Sequence, residues 1–244
     1  MAVKSIQHKQ HTFDISYEII NPEGKVDLIV LHGWGSSKAI MKKSFAPYMD
    51  SFRHIYIDLP GFGKSTCSMA LKTEDVARIV ELLMIHLNAC KDIIAGHSFG
   101  GKVATLLEPK VLVLLSSAGI KLPKPFKVHT KIVLFKMLKV FGFTKLRSLF
   151  VAEDAKELNE HMYQTFKNVV DEDFAKDFKH YSGKALLCWG KEDTATPLSS
   201  AKKIDELIDD SRLVVYEGDH FFFLNNASAI SKEIESTFLR TLEH

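Results

Sequence analysis

The stretch Gly96-His97-Ser98-Phe99-Gly100 stands out first in this 244-residue chain as one whose residue types can do chemistry. An apolar run, "DIIA", leads into it, and a helical pattern, "GGKVATLL", leads out. In the pattern G-x-S-x-G, a sharp strand-to-helix turn holds the serine in an unfavourable backbone conformation that only small neighbours permit. Its side chain is thrust out at a helix N-terminus, where the Phe99 amide is free and the helix dipole favours developing negative charge. Chance can supply the pentapeptide alone; the strand before it and the helix after it make Ser98 a candidate nucleophile.

Other apolar runs end in residues that could serve the same reaction. After "VDLIVL" comes "HGWGSS", a Gly-rich turn that can present the Trp34 amide to the oxyanion faced by Phe99. Losing one such donor typically costs about 10²- to 10³-fold in rate. A serine also needs a base, and neutral imidazole held in one tautomer by a carboxylate suits it near pH 7. "KEDTATP" after "KALLCWG" supplies Asp193, and "DHFFF" after "RLVVYEG" supplies His220. Glu192 and Asp219 are competing carboxylates, and Asp193 is preferred because it lies a short turn beyond its strand. An aspartate there also suits a turn cap, and His220 is one of eleven histidines. There is no P-loop, first-strand G-x-G-x-x-G, C-x-x-C or H-E-x-x-H, so the expected chemistry needs no cofactor and no metal. "PGFGKS" lacks the P-loop spacing, and Pro60, Gly61 and Gly63 read as turn geometry.

These residues must be positioned by a sheet. Short apolar runs at 26–31, 54–59, 92–96, 111–116, 184–190 and 212–218 are mostly too uniformly apolar for strands with a wet face. Helical patterns alternate with them, as in Thr73 to Leu87, where Val76, Ile79, Val80, Leu83 and Leu87 share a side and Thr73 suits an N-cap. The alternation predicts an α/β fold with a mostly parallel sheet flanked by helices, and an edge hairpin over Ile6 to Ile20. Ligands in such sheets bind beyond the carboxyl ends of the strands, where the candidate residues fall. Between Ser117 and Gly183 no strand signal appears, so 120–180 is expected to be a helical cap inserted late in a core of 1–119 and 181–241.

Hydrophobic residues make up 46% of the chain, enough for a large core, and a net charge of +2 gives no sign of nucleic-acid binding. Three cysteines at unrelated spacings imply no disulfide framework. The N-terminus lacks the apolar stretch of a signal peptide and no segment reaches bilayer-spanning length, so a cytoplasmic location is expected. Residues 242–244, "LEH", resemble a tag remnant.

In the order "HGWG", "IDLPGFGKS", "GHSFGG", "CWGKEDTATP" and "GDH", the chain resembles the α/β-hydrolase superfamily along nearly its whole length. Within it, "LHGWG" with "DLPGFGKS" looks most like the pimeloyl-[acyl-carrier protein] methyl ester esterases and related small carboxylesterases. The resemblance implies the α/β-hydrolase fold and a serine esterase cleaving a small to medium acyl ester. It implies Ser98 as nucleophile, His220 as base and then acid, Asp193 as its orienter, and the Trp34 and Phe99 amides as the oxyanion hole. His32, His97, Phe221 and the cap residues Arg147 and Phe150 are candidate substrate contacts. The nearest rival family, the carbon-carbon bond hydrolases of 2-hydroxy-6-oxodienoates, shares fold and triad but usually shows Asn before the serine, Met after it and Trp after the histidine. Here those positions are His97, Phe99 and Phe221. A non-catalytic binding protein on the same scaffold is disfavoured by the intact set of motifs.

From Gly119 to Ala152 there are seven lysines, Arg147 and no acidic residue. Apolar residues run among them, so the surface suits a partner with both negative charge and hydrocarbon. Acyl-carrier protein, or an anionic membrane surface, docking at Lys131, Lys136 and Lys139 would fit; a solvated lysine face is the plain alternative.

Overall fold

The computed structural model describes residues 1–121 and 153–242, with side chains described from 160 onward in the second span. The expectations on Lys131, Lys136, Lys139, Arg147 and Phe150 lie outside the described residues.

The N-terminal runs form β1 (Ala2–His8) and β2 (His11–Ile20), an antiparallel hairpin in which His8 faces His11. Its two-residue turn, Lys9 and Gln10, has positive φ at both positions, 46° and 65°, the sense of turn that matches strand twist. β2 pairs antiparallel with β4 (Phe52–Ile57). From β4 inward all pairings are parallel, through β3 (Val26–Leu31), β5 (Ile93–His97), β6 (Val111–Leu115), β7 (Lys184–Gly190) and β8 (Ser211–Tyr216). The eight strands run in the order β1-β2-β4-β3-β5-β6-β7-β8.

Successive side chains of a strand point to opposite faces, so two apolar layers form. Ile29 and Leu31 pack on the side covered by α2 (Thr73–His86), α3 (Phe99–Leu106) and α6 (Leu198–Leu207). Leu28 and Val30 pack on the side covered by α1 (Lys38–Phe45) and α7 (Phe223–Leu239). Burial on both faces is the reason the central strands β3, β5, β6 and β7 carry near-continuous apolar runs, whereas the edge strands β1 and β8 are partly exposed. Between β6 and β7 the chain forms α4 (Glu153–Val169) and α5 (Ala175–His180).

α2 differs from expectation at its start. Lys72, not Thr73, stands at the N-cap, and its amide donates to the Asp75 carboxylate at 3.0 Å. With Asp75 serving the helix start, the Thr73 hydroxyl is free to donate to Glu172 at 2.5 Å.

The "DLPGFGKS" turn is organised by one buried carboxylate. Asp58 accepts from the Lys38 ammonium at 2.5 Å, the Lys38 amide at 2.7 Å and the Lys64 amide at 3.1 Å. Lys38 also donates to the Ser16 hydroxyl at 2.8 Å, which ties β2 to the start of α1. Gly63, at φ 58°, lies so close that a Cβ there would meet the Asp58 carboxylate at 2.3 Å. Both charged side chains are almost fully buried, so removing one leaves the other uncompensated. Lys38→Met is expected to destabilise the fold by about 3–5 kcal/mol in urea unfolding, well above the cost of an exposed lysine substitution.

Candidate active site

β5 ends at His97 and α3 begins at Phe99, leaving Ser98 alone in the corner. Its backbone sits at φ 52° and ψ −113°, a strained conformation for a residue with a side chain. Space explains the flanking glycines. A Cβ on Gly96 would lie 2.2 Å from the Gly100 carbonyl oxygen, and one on Gly100 would lie 2.6 Å from that of His32. The Ser98 amide donates to Leu115 O of β6 at 3.1 Å, and its carbonyl accepts from Gly101 and Ala118. The corner is thereby held from both sides.

His220, in the loop between β8 and α7, borders the same cavity as Ser98. The carboxylate on its ring is Asp193, with Nδ1 to Oδ2 at 2.8 Å. Glu192 instead accepts from the Gly218 amide at 2.7 Å, and Asp219 accepts from the Phe221 amide at 2.8 Å. Both rival carboxylates therefore brace backbone. Asp193 Oδ1 accepts from the Ala195 and Thr196 amides at 2.8 and 2.9 Å, which aims Oδ2 at the imidazole. Burial opposes the Asp193 charge, but the adjoining His220, its hydrogen bond and the Thr196 amide outweigh it and hold the carboxyl below its usual range. A carboxylate accepting from Nδ1–H leaves a lone pair on Nε2, the form able to take a proton.

Thr196 was not singled out from sequence. Its hydroxyl lies 2.9 Å from Asp193 Oδ2, 3.1 Å from Ser116 O and 3.3 Å from His220 Nδ1, and its carbonyl accepts from the buried Trp189 indole at 2.6 Å. The available signal was its place three residues after Asp193 in "DTATP", the spacing of a side-chain-capped turn.

The cavity is small, about 70 Å³, and partly open to solvent. Trp34, Phe99, Ala118, Phe166 and Val169 give it an apolar wall. Among the described residues no hydrogen-bond acceptor meets the Trp34 or Phe99 amide. Lys102 also borders the cavity, one helical turn beyond Ser98. A lysine within the otherwise apolar "GGKVATLL" was the signal for it.

His32 and His97 differ from the substrate contacts expected, because neither borders the cavity. His32 is fully buried, with Nδ1 2.7 Å from Gly33 O and Nε2 accepting from the Leu59 amide at 3.0 Å, so it joins two strand-end loops. His97 lies behind His220, its ring centroid 4.6 Å away, and its Nε2 donates to the His220 carbonyl at 3.0 Å. Gly33 is packed so tightly on His97 that a Cβ would lie 2.8 Å from Nδ1. Phe221 packs against His97 with ring centroids 5.2 Å apart and likewise does not border the cavity. At the opposite end of the strands, Asp27, Cys90 and Asp92 converge, but Arg53 holds the Asp27 carboxylate and Lys110 the Asp92 carboxylate.

The matching sequence model for the alpha/beta hydrolase family covers residues 28–232, and the chain belongs to that family of hydrolases. Among its relatives is the pimeloyl-[acyl-carrier protein] methyl ester esterase of Vibrio campbellii, 24% identical over 239 residues, covering 85% of this chain and 92% of that one. A 2-hydroxy-6-oxononadienedioate/2-hydroxy-6-oxononatrienedioate hydrolase of Pseudomonas putida is 28% identical over 231 residues, covering 80% and 81%. A thermophilic esterase from Thermogutta terrifontis superposes with a TM-score of 0.76 at 18% identity, over all of both chains. No helix among the described residues is long and apolar enough to cross a membrane.

Burial lowers the His32 pKa from the usual 6.5 to about 4, only partly opposed by its bond to Gly33 O and by Asp58. Burial, with His220 nearby, also pulls His97 well below the ordinary value. Both are neutral in the fold while the unfolded chain protonates near 6.5, so their contribution is full above that pH and is lost as pH falls. Stability is expected to drop between pH 6.5 and 4, with His32 accounting for up to about 3 kcal/mol of the decline. Denaturant unfolding across that range should show a shallower decline in His32→Asn.

Proposed function

We propose that this hydrolase cleaves small to medium carboxylic esters through a Ser98–His220–Asp193 triad and a covalent acyl-enzyme. The observation that carries the reading is the strained Ser98 corner sharing one cavity with His220, whose Nδ1 is held 2.8 Å from Asp193. In the first half-reaction Ser98 Oγ attacks the ester carbonyl while His220 Nε2 takes its proton. The Trp34 and Phe99 amides stabilise the oxyanion, with the N-terminus of α3 adding its dipole. His220 then returns the proton to the leaving alcohol as the carbon-oxygen bond breaks. Water repeats the sequence on the acyl-enzyme, releasing the acid and restoring Ser98. Asp193 stays ionised throughout and stabilises the imidazolium formed at each step. Residues 120–180 serve as the cap of this site, and no metal or cofactor enters any step.

The test is direct. A fluorophosphonate probe should label the wild type, and Ser98→Ala should abolish labelling and lower turnover of p-nitrophenyl butanoate by at least about 10³-fold. Full labelling of the mutant would remove Ser98 from the mechanism.

A second reading is supported by the Pseudomonas putida relative: hydrolysis of a carbon-carbon bond in a 2-hydroxy-6-oxodienoate, with Arg147 anchoring a carboxylate. Dienoate turnover exceeding that of every ester in one substrate panel would favour it.

The Vibrio campbellii relative and the basic segment from Gly119 to Ala152 together support an ester presented on acyl-carrier protein. Electrostatic steering of an acidic carrier contributes about 10- to 10³-fold in association rate. Lys→Glu at Lys131, Lys136 and Lys139 should therefore lower kcat/KM for carrier-linked esters at least about tenfold more than for free esters. Equal losses on both substrates would eliminate docking. Loss of anionic-vesicle binding without any carrier effect would assign the lysines to a membrane surface.

A further inference from the structure

Lys102 is 3% exposed in its side chain and sits within the wall of the cavity. Its ammonium donates to Val169 O at 2.5 Å and to the Glu172 carboxylate at 2.7 Å, and lies over the rings of Phe99 and Phe174 at 5.4 and 5.1 Å. Val169 is the last residue of α4, so Lys102 also satisfies one of that helix's terminal carbonyls and meets the negative end of its dipole. The same Glu172 oxygen accepts from Thr73 of α2 at 2.5 Å. Two core helices thus grip the end of α4, which brings Phe166, Val169 and Val170 to the cavity.

An apolar wall yields to a longer ligand by changes of rotamer. The part of this wall carried by the end of α4 shifts as backbone only if a buried ammonium and a mostly buried carboxylate part, leaving charge without a partner. Lys102 lies four residues along the chain from Ser98, about one helical turn on.

We infer that the Lys102–Glu172–Thr73 clamp sets the acyl length accepted at Ser98 and restricts the pocket to short acyl groups. The inference rests on the ester-hydrolase reading of the same site. Lys102 acts here as a specificity-determining residue of the pocket wall, not as a group in the proton relay.

The test is the kcat/KM profile over p-nitrophenyl esters from acetate to decanoate. Wild type should peak at butanoate or hexanoate and fall at least about tenfold by decanoate. The double variant Lys102→Met/Glu172→Leu exchanges the buried pair for apolar side chains of similar volume, a change that is often neutral for stability. Its decanoate-to-butanoate ratio should rise about tenfold. Thr73→Val, which leaves the ion pair in place, should raise the ratio about two- to threefold and decides the matter should the double variant not fold. A wild-type optimum at decanoate, or an unaltered ratio in a folded variant, overturns the clamp. Failure of the ester reading would look different: no ester turned over and no labelling of Ser98, which would take the clamp's role in acyl selection down with it.

Discussion

A serine held at φ 52° between a buried parallel strand and a helix is the constraint on which the rest of this structure depends. Such a conformation costs about 1–3 kcal/mol and persists only where the surroundings leave no alternative. Here the surroundings are backbone: the Gly100 carbonyl pressed on Gly96, the His32 carbonyl pressed on Gly100, and the Leu115 carbonyl taking the Ser98 amide. β5 lies between β3 and β6, so the loops carrying His32, Ser98 and Ser116 leave the sheet side by side. The position of the corner in the sheet makes a local strain into a site.

Around that corner the histidines divide by environment. His220 meets a carboxylate and borders the cavity, whereas His32 and His97 meet backbone carbonyls or amides and are closed in. The residue adjacent to the serine in sequence is thereby a brace for the residue that shares its cavity. A protonated His97 would repel any positive charge on His220, and burial keeps it neutral. The Asp193 carboxylate has the opposite setting. Amides and an imidazole surround it, so its charge survives burial and orients one ring.

Two buried lysines give the molecule a second kind of rigidity. Lys38 gathers the "DLPGFGKS" turn onto Asp58, and Lys102 gathers the end of α4 onto Glu172. Each fastens a loop or helix end to the sheet core by a contact that cannot weaken gradually, because a half-broken buried pair leaves an uncompensated charge. Apolar layers on the two sheet faces supply the general stability, while these pairs determine where individual segments lie.

Strand and turn chemistry is local, and the sequence by itself determined both. Uniformly apolar runs marked strands covered on both faces, glycines around Ser98 marked the corner, and the residues just past each strand marked the end of the sheet where chemistry gathers. Even the β1–β2 hairpin was legible from its imperfect alternation. Only the tertiary structure decided which groups each residue meets. Its place a short turn beyond the strand already favoured Asp193 over Glu192 and Asp219 in the sequence, but the amides at Ala195 and Thr196 that turn its carboxylate toward His220 come from the fold. Thr73 has the residue type of a helix cap but bonds Glu172, ninety-nine residues on, because Asp75 serves the helix start. Lys102 and Glu172, seventy residues apart, meet because the chain returns over α3 between β6 and β7. Periodicity carries no record of such meetings, since strand order and the paths of the connecting segments set them.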